Sequence, residues 1–132
     1  MVLVDANVLI DLFTDDPEWG DWSRAALLDA AGRGQIGINP IIYAEVSIAF
    51  TDPAKLDAAL TPLELVHCEL PYAAGFRAGK AFLKYRRRQG TKHLPLPDFY
   101  IGAHAEIAEF DLLTRDTTRY ASYFPKVQLI CP

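Results

Sequence analysis

Five brief apolar runs punctuate the chain: Val2-Leu3-Val4, Ile36-Gly37-Ile38, Leu65-Val66-His67-Cys68, Asp111-Leu112-Leu113-Thr114 and Val127-Gln128-Leu129-Ile130. Between them lie longer stretches with apolar residues at helical spacing. This alternation constrains the fold more than any other feature. Runs so short are buried only by pairing side by side, and helix-length connections between them suit parallel pairing. The expected class is α/β: a three-layer α/β/α sandwich with a central, mostly parallel sheet covered on both faces. A chain of 132 residues, 51% of them apolar, can build a core without staples, so residues 1–132 are read as one domain.

Local signals place the helices. Residues 7–13 read as a helix with Asn7 as candidate N-cap, ended by Asp15-Asp16-Pro17. Trp19, Trp22, Ala26, Leu27 and Ala30 form the stripe of a second helix reaching Gly32. Asn39-Pro40 and Asp52-Pro53 are strong starts, because the polar side chain caps and proline at the first helical position loses no hydrogen bond. Ile41, Ile42, Glu45, Val46 and Ala49 recur on one side after the first of them. The longest pattern runs from Tyr72 to about Arg88, with Ala73, Phe76, Ala78, Phe82 and Leu83 as its apolar face. Gly75 and Gly79 are spaced for close helix contact. Leu94-Pro95-Leu96-Pro97 must be extended, since a residue before proline is pushed out of the helical region. Asp98 then caps or opens a helix through Glu109, and Asp116 to Tyr120 begins a short one.

The acids fall at telling places. Asp5 closes the first apolar run, Glu45 follows Ile41-Ile42-Tyr43-Ala44, Asp98 precedes Phe99-Tyr100-Ile101, and Asp116 follows Leu112-Leu113-Thr114-Arg115. A carboxylate beside a buried segment is costly unless a cation compensates it. In parallel α/β sheets, ligands bind beyond the carboxyl ends of the strands. Asp5 and Asp116 occupy that edge, and Glu45 and Asp98 lie early in helices that start near it, so the topology gathers all four. Carboxylates so gathered repel one another, and Mg²⁺ or Mn²⁺ would relieve the repulsion. An oxygen-only set without clustered His or Cys favours those hard ions over zinc, and suits phosphodiester hydrolysis. Plainer readings stand beside this one: Asp5, Asp98 and Asp116 as helix caps, Glu45 as a surface or ion-paired residue. Asn7 and Thr114 either orient a ligating carboxylate or cap the backbone locally. Arg115 is a phosphate contact or a salt-bridge partner.

The net charge of -4 argues against a nucleic-acid partner, but its distribution matters more. Lys80, Lys84, Arg86, Arg87, Arg88 and Lys92 include no acid among them and make up close to half of the 13 Lys and Arg. Consecutive arginines cannot share one helix face, yet together they form a positive rim. Lys84, Arg86, Arg87, Arg88, Lys92 and Arg115 are candidate contacts for a nucleic-acid backbone; cations favoured by a helix carboxyl terminus are the alternative. Cys68 and Cys131 lie far apart, outside any metal-like spacing, and read as reduced, buried thiols. His104 reads as packed or hydrogen-bonded on its helix, and His93 carries little signal. No signal peptide and no bilayer-spanning run is seen, so a cytoplasmic protein is expected.

The motifs carry a resemblance. Val2-Leu3-Val4-Asp5-Ala6-Asn7-Val8-Leu9-Ile10-Asp11, Asn39-Pro40-Ile41-Ile42-Tyr43-Ala44-Glu45, Leu96-Pro97-Asp98-Phe99-Tyr100-Ile101-Gly102-Ala103-His104-Ala105 and Leu112-Leu113-Thr114-Arg115-Asp116, the last followed by Tyr120 and Tyr123-Phe124-Pro125, stand in order along the chain. Together they resemble the four motifs of the PIN-domain nucleases, and within them the VapC-type toxins of prokaryotic toxin–antitoxin pairs. Ala6 stands where that family usually has Thr or Ser, and Gly102 where Ala is common, at a cost of about 1 kcal/mol in a helix. Asp11 resembles a further acid of the opening motif, though solvent exposure explains it nearly as well.

The resemblance implies a Mg²⁺-dependent endoribonuclease toxin leaving a 5′-phosphate and a 3′-hydroxyl. Asp5 and Asp98 would be its main metal ligands, Asp116 would complete the set, and Glu45 would hold a second ion or steer the attacking water. It implies an RNA substrate, a VapB-like antitoxin that inserts an arginine into the acidic pocket, and a homodimer. Trp19, Trp22, Phe76 and Phe82 are candidate partner contacts, with core packing as the alternative. A haloacid-type phosphohydrolase is disfavoured, because Asn7 stands where its second Asp belongs. A flap-type DNA nuclease would need more acids and a larger body. A noncatalytic binding module would not require the intact acid set.

Overall fold

The computed structural model describes residues 1–88, 90–91 and 96–132. Strands β1 (Val2–Val4), β2 (Ile36–Ile38), β3 (Val66–His67), β4 (Asp111–Leu113) and β5 (Leu129–Ile130) form one sheet of order β3-β2-β1-β4-β5. Every pairing between neighbours is parallel, so the sheet is more uniform than the expected mostly parallel one. Helices α1 (Ala6–Phe13), α2 (Gly20–Arg33), α3 (Pro40–Ser47), α4 (Pro53–Leu60), α5 (Tyr72–Arg87), α6 (Pro97–Ala108) and α7 (Thr118–Tyr123) flank the sheet as an α/β/α sandwich. A 3₁₀ turn, Thr61–Leu63, follows α4. Among the described residues no helix is long and apolar enough to cross a membrane.

The strand order positions the site. The chain steps from β1 outward to β2 and β3, then returns to lay β4 on the other flank of β1. The crevice at the carboxyl ends of β1 and β4 is therefore the switch point where α/β folds bind ligands. The ladder continues into it: the Asp5 N–H donates to the Leu113 carbonyl at 2.9 Å, and the Thr114 N–H to the Ile130 carbonyl at 3.0 Å.

Capping follows the sequence in two helices and decides between its alternatives in three. The Asn39 side chain accepts from the Ile42 N–H and Asp52 from the Lys55 N–H, each with proline in the first turn. Such caps contribute about 1 kcal/mol each. In α1 the cap is Asp5, which accepts from the Ala6 N–H, so Asn7 lies inside the helix and its amide is released for other work. The N-cap of α6 is Leu96 with extended backbone, and Asp98 sits in the first turn rather than at the cap. Thr117 holds the cap position of α7, while Asp116 accepts from the Thr118 N–H at 3.2 Å from just outside. α3 ends at Ser47, before Ala49, whose side is exposed.

The core runs through Leu3, Val4, Val8, Leu9, Ile42, Val46, Phe99, Ile101, Leu112, Leu113 and Phe124, all fully buried. Each such side chain stabilises the fold by about 1.5–3 kcal/mol relative to exposure. The face of α5 differs from its expected one. Ala74, Ala78 and Ala81 are buried, whereas Ala73, Phe76 and Leu83 are exposed. The small side chains let α5 lie close to α6; Phe76 and Leu83 point outward, while Ala78 and Phe82 of the expected face do pack inward. Gly75 and Gly79 take no part in that approach, since an added Cβ would meet nothing within 4 Å at either. The tight approach belongs to Gly102 on α6, where a Cβ would fall 2.3 Å from the Phe124 ring. Arg77 joins three helices: it grips Glu106 at 2.9 and 3.2 Å and donates to the Tyr123 carbonyl at 2.9 Å. Both cysteines are free, as expected, but Cys68 is half-buried and Cys131 exposed, so neither is the buried thiol foreseen.

Candidate active site

Asp5 lies at the centre of the switch-point crevice and is 4% exposed. Its Oδ1 accepts from the Ala6 N–H at 2.7 Å. Its Oδ2 faces three donors: Thr114 Oγ1 at 2.8 Å, Tyr120 Oη at 3.0 Å and Asn7 Nδ2 at 3.3 Å. Asn7 also bonds Thr114 Oγ1 at 3.2 Å and accepts from the Arg115 N–H at 3.3 Å. The two polar residues singled out beside Asp5 thus hold it from both sides, Asn7 from α1 and Thr114 from the carboxyl end of β4. Burial drives the Asp5 carboxyl up to about 6; the Asp98 charge pushes the same way, and the Thr114, Tyr120 and Ala6 hydrogen bonds oppose it.

The other acids surround this group, Glu45 and Asp98 half-buried and Asp116 at the rim. Glu45 on α3 is pushed up to about 7, by burial first and then by the charges of Asp5 and Asp98. Among the described residues its Oε1 is the buried side-chain oxygen without a hydrogen-bond partner. Asp98 on α6 is raised by burial and by Asp116, against the pull of Arg119. Asp116 is exposed, at the rim. A buried hydrogen bond keeps two of the acid-bearing helices together: Asn39 Nδ2, at the start of α3, lies 3.0 Å from His104 Nδ1 on α6. Burial holds the His104 imidazole below its ordinary value, which leaves Nδ1 free to accept from the amide.

The family model of the PIN domain matches residues 2–123. The chain belongs to the PIN-domain family. Solved structures agree on the fold. The chain resembles VapBC2 from Rickettsia felis bound to a promoter DNA fragment (TM-score 0.76, 16% identity, covering 100% of this chain and 99% of that one). It also resembles VapBC-1 from nontypeable Haemophilus influenzae (0.74, 15%, 99% and 98%). A toxin–antitoxin complex from Klebsiella pneumoniae matches at 0.68 and 26% identity over 92% and 91% of the two chains. No curated protein matches by sequence.

The PIN fold here carries two features that motif spacing did not reveal. The first is Tyr120, 1% exposed, whose hydroxyl reaches Asp5 and lies 3.4 Å from Asp98 Oδ1. A hydroxyl has one proton, and the shorter contact takes it. The sequence signal was a tyrosine one turn past Asp116 on a short helix, visible but without an assigned role. The second is Arg119, whose Nη1 stands 3.4 Å from Asp98 Oδ2 while its guanidinium lies 5.6 and 5.5 Å from the Tyr85 and Phe99 ring centres.

Other candidates part company with the site. Asp11 is 2% exposed, against the reading of a solvent-exposed acid, and binds Arg115 at 2.7 and 3.1 Å and Ser23 Oγ at 2.9 Å. Arg115 is therefore an ion-pair partner, and its guanidinium also lies 5.7 Å from the Trp19 ring centre. Lys84, Arg86 and Arg87 are exposed at the end of α5, and Arg88 lies 5.3 Å from the Tyr123 ring centre. Lys92 and His93 fall outside the described residues. Phe76 is 70% exposed, whereas Trp19, Trp22 and Phe82 are half-buried. The Trp19 and Trp22 rings meet edge to face, and Phe82 packs on Tyr85 and Phe99.

The donor chemistry fits a hard divalent ion. Every acid offers oxygen, and among the described residues Glu45 Oε1 is unpartnered and no cation offsets the two carboxyls that hold protons unusually tightly. As the side chains stand, no group of three or more His, Cys, Asp or Glu among the described residues has the geometry to hold one ion. The electrostatic coupling of Asp5 with Asp98 and of Glu45 with both shows that they share one field, so an ion would have to draw them together.

Proposed function

We propose that this PIN domain is a Mg²⁺-dependent endoribonuclease toxin, with Mn²⁺ as a substitute ion, restrained by a VapB-like antitoxin. The observation that carries the catalytic reading is the unpartnered Glu45 Oε1 beside a buried, proton-retaining Asp5. Desolvated acids without a cation are an expense a purely structural site avoids. Asp5, Asp98 and Asp116 would hold the ion, with Glu45 as ligand to a second ion or as the group steering the water. Bound there, the ion would supply Lewis acidity to the attacking water and to the phosphoryl oxygens.

The protein's own residues do the remaining work. Thr114, Asn7 and Tyr120 fix the Asp5 carboxylate, so its orientation is set before substrate arrives. Glu45, raised to about 7 in the metal-free site, would give up its proton when an ion binds and would then be free to orient the attacking water. The exposed cations Lys84, Arg86 and Arg87, with Arg88, would attract the RNA backbone toward the crevice. The Klebsiella pneumoniae relative is a toxin–antitoxin complex and the Rickettsia felis one a VapBC2 bound to promoter DNA, which supports an antitoxin partner for this chain. A homodimer and a cytoplasmic location accompany that reading.

The test is cleavage of purified transfer and ribosomal RNA with and without Mg²⁺, followed by mapping of the new 5′ ends. Wild-type protein should cut only with the ion, and Asp98→Asn should cut at least about 100-fold more slowly. Folded wild type that leaves RNA intact while cutting branched DNA would replace this function with a structure-specific DNA nuclease. Folded wild type that cuts neither would make it a binding module.

A further inference from the structure

The carboxylate that the metal needs already has a cation on it, and that cation comes from the same chain. Arg119 projects from α7, one residue before Tyr120, and its Nη1 lies 3.4 Å from Asp98 Oδ2. It is held there rather than hanging in solvent. Its guanidinium sits 5.6 Å from the centre of the Tyr85 ring and 5.5 Å from that of Phe99, and the side chain is 32% exposed. The rings come from α5 and α6, so two neighbouring helices contribute to the aromatic slot. The slot opens on a hollow of about 300 Å³ lined by Asp98, Asp116, Thr118, Arg119, Ser122 and the two tyrosines Tyr85 and Tyr123. Asp98 and the rim acid Asp116 thus line the same hollow as the guanidinium.

We infer that Arg119 is an internal counter-cation that competes with the divalent ion for Asp98, so that metal loading requires Arg119 to leave that carboxylate. A divalent ion placed against Asp98 with the guanidinium still at 3.4 Å would face a like charge within a few ångströms. Release costs little. The guanidinium can remain against the aromatic faces, where cation–π attraction persists, while giving up one long hydrogen bond. Displaced into the hollow, it faces the side from which an anionic substrate would approach Asp98 and Asp116. Arg119 would then have two positions, one closing the site without metal and one facing substrate with it. This inference rests on the metal-dependent reading of the acids, but not on RNA being the substrate.

The experiment uses the whole chain and metal alone, without RNA. Mn²⁺ affinity is measured by calorimetry for wild type, Arg119→Met and Arg119→Lys, with folding checked by circular dichroism. Methionine keeps an unbranched side chain between the rings but removes the competitor, and lysine keeps the charge. Competition predicts that Arg119→Met binds Mn²⁺ about two- to fivefold more tightly, the range expected of a partly exposed ion pair. Lysine should fall between methionine and wild type. In parallel, the Arg119 Nε–Hε resonance of the wild type is followed during a Mg²⁺ titration. It should move with the same midpoint as metal binding, which a merely structural arginine would not do. Equal or weaker Mn²⁺ binding by folded Arg119→Met, no Mn²⁺ binding by either protein, or an Nε–Hε signal unmoved at saturating Mg²⁺ would overturn the proposal. Wild type that binds Mn²⁺ yet cuts no RNA would refute the ribonuclease reading and leave this one standing.

Discussion

The Tyr120 hydroxyl donates to Asp5 Oδ2 at 3.0 Å, joining a helix near the end of the chain to the end of its first strand. Burial and the charges of Asp5 and Asp98 hold the Tyr120 phenol well above its ordinary range, so it acts as a donor at any working pH. Its proton opposes the rise in the Asp5 pKa. Tyr120→Phe keeps the ring and removes that donor. Asp5 should then keep its proton to higher pH, and the pH midpoint of Mn²⁺ binding should rise by about half to one unit. Calorimetric titrations between pH 5.5 and 8 check this; an unmoved midpoint would mean that the Tyr120 hydroxyl does not hold down the Asp5 pKa.

The raised acids also set how stability changes with pH without metal. Asp5 at about 6 and Glu45 at about 7 both lie above the usual carboxylate range. Below those values the folded chain holds protons that the unfolded chain has already lost. Stability therefore falls as pH rises through the folded values. His104 works the other way below about pH 6.5, because the unfolded imidazole takes a proton that the buried one refuses. Between pH 6 and 8 the two acids should lose on the order of 1 kcal/mol, after discounting partly exposed Glu45 for solvent screening, and His104 returns part of it. Saturating Mg²⁺ should abolish the acids' share, since a bound cation replaces the protons, and leave the His104 share. Denaturant melts in EDTA and in Mg²⁺ separate the two, and a pH dependence between pH 6 and 8 that is the same in both would contradict the assignment.

The strands were legible in the sequence because each is a short apolar run ended by a polar residue, and their carboxyl ends pointed to Asp5 and Asp116. Glu45 and Asp98 followed from the helix starts at Asn39-Pro40 and Pro97. The face of α5 was read only in part: Ala78 and Phe82 pack inward as expected, but Ala73, Phe76 and Leu83 do not. Periodicity marks apolar residues but does not say which side faces the core, and the close α5–α6 approach buried Ala74 and Ala81 instead. Asp11 and Arg115 lie 104 residues apart, so no local pattern could pair them. Tyr120 was seen in the fourth motif without a role and Arg119 was missed, because their partners are brought to them only by the sheet order.

Gly102 shows how packing overrides propensity. An alanine there would favour the helix by about 1 kcal/mol in isolation. Here its methyl would meet the Phe124 ring at 2.3 Å, and Phe124 is fully buried. Moving that ring disturbs Phe99, the first residue after Asp98, whose ring centre is 6.5 Å from that of Phe124. Gly102→Ala should therefore destabilise the protein by about 1–3 kcal/mol, the range for overpacking a tight core. A denaturation midpoint equal to or above that of the wild type would show that α6 can shift away freely.

The Asp11–Arg115 pair makes a different demand. The Asp11 side chain is 3% exposed and Arg115 33%, with bonds of 2.7 and 3.1 Å between them. Deep inside, a lone carboxylate is far costlier than a paired one, so removing the arginine should hurt more than removing both charges. Arg115→Met should cost about 2–4 kcal/mol at neutral pH, moderated by the exposure of the arginine. Arg115→Met with Asp11→Asn should recover part of that loss, because asparagine can still bond Ser23 without a buried charge. The same pair ties α1 to the segment carrying Asp116, so the single variant should also weaken Mn²⁺ binding, although neither residue touches the ion. A double-mutant cycle on denaturant melts, with Mn²⁺ affinities for all four proteins, decides it: strictly additive losses would reduce the pair to an ordinary surface contact.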